Sequence, residues 1–250
     1  MEQIKILMPL PDYDFDPMEA SIPWKACHDK GWSVEISTEK GNVPQADPYK
    51  LKGPLPGILS ASAAAKTAYQ QMRDDPAYQA PIPYMDIDPE RYRALLLPGG
   101  DGLRMRQYLE NPTLREKVLQ LWKNDILIGA ICHGILVMAR TKNPQNGQSL
   151  LYGYKITTIP KALDLFAFYA DKWLVKHGYI YYSQCVMDEV SQCLEHPKDL
   201  SAGPGFLTPY AYSDRNLVTA RWFRDAEVFA QRFCEALEKR IGQEADNSSN

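Results

Sequence analysis

Five residues, Ala130-Ile131-Cys132-His133-Gly134, place a thiol where an apolar run gives way to a helix. Asp125-Ile126-Leu127-Ile128-Gly129 before it has strand character, and Ile135-Leu136-Val137-Met138-Ala139-Arg140 after it suits a helix. Ala130 and Gly134 flank the cysteine two residues to either side. Small residues are needed there because a sharp strand-to-helix turn brings neighbouring backbone very close. A thiol at such a turn faces the amino end of the new helix, and that field favours the thiolate, the reactive form. A buried structural cysteine is the alternative, since free cysteines are commonly buried. His133 sets a base beside the thiol, and its own N–H follows the nucleophile. Together with the N–H of Gly100 it would make a site for an oxyanion. Glu19, just beyond the first strand, brings a carboxyl to the same cleft, where it could hydrogen-bond the thiolate or carry a proton.

These groups meet only if their elements are strands of one parallel sheet. Ile4 to Pro9 reads as a buried strand, and Pro17 suits the first turn of a helix that carries Glu19, Trp24 and Cys27. Trp32 to Ser37 alternates as a second strand, so the opening is β-α-β. Residues 41 to about 90 break this rhythm with Gly, Pro and Asp, and contain an alanine-rich helix over 60–73; they read as an insertion folded over the sheet. Arg93 to Leu97 is the next strand and runs into Pro98-Gly99-Gly100, where two glycines let backbone N–H groups point into a cleft. Helices over 105–110 and 112–123 lead to the cysteine strand. Residues 151–159 hold one or two short strands, 161–175 an aromatic-rich helix, and 178–182 an aromatic stretch; a short helix lies near 186–194. Leu217 to Ala220 is the last strand and 225–241 the closing helix. The polar stretch 242–250 reads as a disordered tail. The fold class is α/β, a doubly wound, mainly parallel sheet with helices on both faces and an inserted helical subdomain, forming one domain over 1–241. Open sheets of this kind place their sites at the carboxyl ends of the strands.

The 250 residues carry a net charge of −3, with 24% charged and 45% hydrophobic residues, which offers no basic surface for nucleic acid and no span for a membrane. The amino end enters a strand without the pattern of a signal peptide. Five cysteines, an odd count without a C-x-x-C pair, point to free thiols in a reducing cytoplasm. His28 and His177 fall on helix surfaces without partners, so no metal site is expected. Asp12, Asp14 and Asp16 have the spacing of a calcium loop but lack its Gly and closing Glu, and read as a solvated loop and a helix cap. A glutaminase triad would need His-x-Glu late in the chain, and Glu195-His196-Pro197 has the wrong order.

Phe15-Asp16-Pro17-Met18-Glu19, Leu97-Pro98-Gly99-Gly100 and Ala130-Ile131-Cys132-His133-Gly134 together resemble the ThiJ/PfpI superfamily, whose fold is flavodoxin-like and related to class I glutamine amidotransferases. The resemblance covers residues 4–235. The Cys-His pair and the long insertion are most similar to its heat-shock chaperone and glyoxalase branch. That implies Cys132 as nucleophile, His133 as its assistant, Glu19 as proton carrier, and an acid that orients the histidine, for which Asp164 is the candidate in the loop after the 156–160 strand. It also implies a homodimer, no cofactor and a small carbonyl substrate such as methylglyoxal. The chain departs from the branch at Asp101, where many members carry histidine after the two glycines, and this alters the charge at the pocket mouth. Two other readings use the same thiol: a cysteine amidase or peptidase, and a stress chaperone or redox sensor without turnover.

Overall fold

The structure, a computed structural model, describes residues 3–53, 60–174 and 184–248. The chain opens with β1 (Lys5–Pro9), β2 (Tyr13–Phe15) and α1 (Pro17–Asp29), then β3 (Ser33–Thr38). The insertion holds β4 (Gln45–Ala46), α2 (Pro48–Lys52), α3 (Ala63–Asp74), α4 (Pro76–Gln79) and β5 (Ile82–Pro83). The second half runs β6 (Ala94–Leu97), α5 (Arg106–Leu109), α6 (Pro112–Lys123), β7 (Leu127–Ile131) and α7 (Ile135–Arg140). It closes with α8 (Lys161–Leu174), α9 (Val186–Ser191), β8 (Ala211–Asp214), β9 (Leu217–Ala220) and α10 (Ala226–Ser248).

Seven strands form one sheet in the order β5-β3-β1-β6-β7-β9-β8, with every pairing parallel except β8 with β9. The central strands β1, β6 and β7 are buried along almost their whole length, as expected of a parallel sheet covered by helices on both faces. On one side α1 packs against both α3 and α10. The chain leaves β1 toward β3 and later returns to its other side at β6. The β1–β6 junction is therefore the switch point of the sheet, and a crevice opens outside the strand ends there. Residues 15–19, 97–100 and 130–134 all sit at that edge.

Several expectations needed correction. The segment 41–90 is not wholly an excursion, because β5 hydrogen-bonds to β3 as an edge strand and β4 pairs with β2 in a separate two-stranded sheet. No strand forms over 151–159; Ile156 makes one isolated parallel bridge to Leu200, and Thr157 N–H donates to the Thr219 hydroxyl at 2.9 Å. The polar end is helical through Ser248 instead of frayed from residue 242, and Arg93 pairs with Glu244 at 2.8 Å. β8 was not anticipated: its sequence, Ala-Tyr-Ser-Asp, has too few apolar residues to signal a strand, and pairing with β9 forms it. The aromatic stretch 178–182 lies outside the described residues.

Candidate active site

The turn after β7 is strained at Cys132. Cys132 has φ +56°, a left-handed conformation that a non-glycine residue adopts at a cost of about 1–3 kcal/mol. Residues Cys132–Gly134 form a single 3-10 turn before α7 begins. A side chain at Gly134 would put its first carbon 2.1 Å from the Leu97 carbonyl oxygen, so the turn passes over the end of β6 only because residue 134 has none. The strain directs the Cys132 side chain toward the switch point, where it is 6% exposed.

Glu19 arrives from α1. Asp16 is the amino-terminal cap of that helix, accepting from the Met18 N–H at 2.8 Å and the Glu19 N–H at 3.3 Å, and Pro17 fills the first turn. The Asp16 N–H donates to the Gly99 carbonyl at 2.9 Å and ties this cap to the end of β6. Glu19 is therefore placed in the first turn, over the double glycine. A methyl group on Gly99 would meet Glu19 Oε2 at 2.6 Å, Cys132 Cβ at 2.8 Å and the Ile131 carbonyl at 2.8 Å. The Glu19 carboxyl is 2% exposed, and the Cys132 thiol beside it lowers its proton affinity against burial. No N–H or O–H donor among the described residues reaches Oε2.

His133 completes the constellation. Its Nδ1 lies 3.4 Å from Cys132 Sγ, and its Nε2 lies 3.8 Å from Asp164 Oδ1. Asp164 sits in the first turn of α8 and not in a loop following a strand; its Oδ2 accepts the Val186 N–H at 2.9 Å, which fixes the carboxylate. The histidine is 4% exposed and stands between the thiol and the acid. Gly100 is buried with φ +150°, and its N–H makes no hydrogen bond among the described residues.

The electrostatics differ from those expected at a helix end. Burial raises the Cys132 thiol well above its usual range, and the carboxyls of Glu19, Asp101 and Asp16 push it the same way; the His133 N–H opposes them. α7 has six residues, so the favourable field reduces to that N–H. Burial, then the neighbouring Asp16, raises Glu19 well above the usual carboxylate range as well. Asp16 and Glu19, both raised by burial, therefore compete for protons with each other. Asp14 and Asp16 are buried, not solvated. Asp14 Oδ1 pairs with Arg104 at 2.6 Å.

Sequence reasoning missed part of the site. Asp47 caps α2 through the Tyr49 N–H at 2.7 Å, and α2 carries Lys50, which pairs with Asp101 at 3.1 Å. Burial and Asp101 raise the Asp47 carboxyl to about 6. The signal was present, since Asp47-Pro48 repeats the cap-then-proline pattern of Asp16-Pro17. His28 is exposed and stacks on Trp24 with ring centres 4.8 Å apart; His177 lies outside the described residues.

Residues 10–204 match the sequence model of the ThiJ/PfpI-like family. An uncharacterized protein of Schizosaccharomyces pombe is 26% identical over 113 residues, which cover 44% of this chain and 42% of that relative; this chain thus matches under half the length of that curated relative. Among solved structures, the Rapid Encystment Protein of Francisella tularensis superposes with a TM-score of 0.71 at 19% identity, covering 94% of this chain and 99% of its own. Glyoxalase III of Candida albicans superposes with a TM-score of 0.70 at 17% identity, covering 93% and 97%. At these identities the likeness is one of fold, a flavodoxin-like α/β fold. The family match spans most of the chain and contains all three strand-end motifs, and this chain belongs to the ThiJ/PfpI family.

Proposed function

We propose that the protein is a cofactor-free, cysteine-dependent enzyme that converts small 2-oxoaldehydes, such as methylglyoxal, to hydroxy acids without glutathione. The observation that carries this reading is the position of Glu19, a buried carboxyl that lies over Gly99 together with Cys132. Isomerising an oxoaldehyde requires a proton to move between adjacent carbons, and a buried carboxyl of raised affinity for protons suits that task. Cys132 Sγ adds to the aldehyde carbon, and its proton reaches the carbonyl oxygen, giving a hemithioacetal. The N–H groups of Gly100 and His133 stabilise the oxyanion in that step. Glu19, in its carboxylate form, takes the proton from C1 and returns it to C2, while the hydroxyl proton passes from the C1 oxygen to the C2 oxygen. The product is a thioester of Cys132, and water hydrolyses it to lactate and free thiol. His133, held by Asp164, is the base for that water. The fold shared with a glyoxalase III supports the reading. The free thiols fit a reducing compartment such as the cytoplasm.

A hydrolase acting on amides or peptides would use Cys132, His133 and Asp164 alone and leave Glu19 without a task. Incubation with methylglyoxal in the absence of glutathione, with lactate followed by NMR, tests the proposal; hydrolysis of chromogenic amides at a greater rate would replace it with the hydrolase reading.

A further inference from the structure

Two cysteines far from the site face each other. Cys27 is on α1 and Cys234 on α10, with exposures of 0% and 4%. The two helices pack side by side and run in the same direction. Met18 at the start of α1 shares a cluster with Phe223, just before α10. At the far end Lys30 Nζ meets Glu238 Oε1 at 2.6 Å. Cys27 and Cys234 fall between these two contacts in register. On α10, Ala226, Ala230 and Cys234 recur at four-residue intervals and are all buried, so small side chains line one face and permit close approach. Each thiol shifts the proton affinity of the other.

We propose that Cys27 and Cys234 are a second oxidisable site of this protein, a dithiol that a hydroperoxide converts into a disulfide joining α1 to α10. Cys234 is the attacking thiol: it lies at the edge of the core beside the exposed ammonium of Lys30. Its thiolate is favoured first by the Cys27 thiol, then, against burial, by Lys30, with Glu238 and Glu235 opposing. Cys27 is held strongly protonated by the same contact and by burial, which suits a resolving thiol and not an attacking one. In the first step Cys234 Sγ attacks one peroxide oxygen. The O–O bond breaks, water or an alcohol leaves, and Cys234 becomes a sulfenic acid. In the second step Cys27 Sγ attacks that sulfur, the S–O bond breaks, and water departs with the Cys27 proton. Two thiols have then given two electrons to one hydroperoxide. The helices must close by the difference between a thiol contact and an S–S bond of about 2.05 Å. Because α1 carries Glu19 about two turns before Cys27, the bond would pin the site's helix to the closing helix.

The test is mild hydrogen peroxide treatment of the native full-length chain and of Cys132→Ser. Free thiols are then alkylated in denaturant, and a non-reducing tryptic digest is analysed by mass spectrometry. The expected product is a disulfide between peptides 26–30 and 233–239, formed equally in both proteins, reversed by dithiothreitol and accompanied by a raised Tm. In Cys27→Ala, dimedone should trap Cys234 as the sulfenic acid. The proposal is overturned if Cys27 and Cys234 are still alkylated after Cys185 and Cys193 have oxidised. It is equally overturned if Cys234 oxidises without joining Cys27, or if the linked peptides appear only when peroxide is added in denaturant.

Discussion

Glu19 and Cys132 both lie over Gly99, and they can share that space because residue 99 has no side chain. One comes from the first turn of α1, the other from the strained turn after β7, and the end of β6 passes beneath both. Even one methyl group at Gly99 would occupy the space of the Glu19 carboxylate. Gly99→Ala is therefore expected to displace Glu19 and to push on the end of β7 through the Ile131 carbonyl and Cys132 Cβ. Because a 1 Å misplacement costs on the order of 10²-fold in rate, kcat should fall by at least about that factor. Steady-state kinetics beside a melting curve check this; an equal collapse of Tm and activity would assign Gly99 to folding alone.

The thiol should titrate late. Burial and three carboxyls raise Cys132, so its alkylation by iodoacetamide is expected to remain slow until alkaline pH. Glu19→Gln removes the largest of the charged causes and should bring the rise to lower pH. Labelling followed by peptide mapping across the pH range reads both profiles. An unchanged profile in the variant would mean that Glu19 exerts no field on the sulfur.

His133 and Asp164 should separate by magnitude. His133→Ala is expected to lower turnover by about 10²–10⁴-fold, the usual contribution of a positioned acid or base, with little change in Tm. Asp164→Asn keeps an acceptor for the Val186 N–H and should cause a smaller loss. Loss of folding in Asp164→Asn would instead make the Val186 contact its main role.

Asp47 offers a test of the buried acids by stability alone. Its carboxyl is raised from 3.8 to about 6. The folded state thus binds the proton more tightly than the unfolded chain. The stabilisation this gives is complete below about pH 4 and is lost as pH rises through about 6. Asp47→Asn retains the cap and has no charge to bury. It should be more stable than the parent at pH 7, by roughly 1–3 kcal/mol, and nearly equal to it at pH 4. Urea unfolding at the two pH values measures the gap, and a gap that grows on acidification would reverse the sign of the argument.

The parts of the molecule legible in its sequence are those set by local pattern. The apolar runs of β1, β6 and β7 marked buried parallel strands, Pro17 marked the start of α1, and small residues around Cys132 marked the turn. Parallel pairing then placed Glu19, Gly100 and Cys132 at one edge without further information. What escaped depends on distant partners. β8 exists because β9 lies beside it, and residues 151–159 fail to form a strand because no neighbour is left for them beyond an isolated bridge. The ionisation of Cys132 was misread for the same reason: the helix that follows is visible in the sequence, whereas Asp16 and Asp101 act on the sulfur only through the fold. Asp47 and Lys50, in a stretch that looks like a loop, come to the site by way of a five-residue helix.

The central claim is that one thiol and one buried carboxyl divide the work, with Cys132 forming the bond to substrate and Glu19 moving the proton. Lactate formation from methylglyoxal, followed by NMR without glutathione, should be compared among the parent, Cys132→Ala and Glu19→Gln under identical conditions. The expected result is steady production by the parent, none by Cys132→Ala, and for Glu19→Gln a covalent hemithioacetal on Cys132 that does not go on to lactate, with both variants folded. Lactate production by Cys132→Ala, or undiminished turnover by Glu19→Gln, would contradict the account.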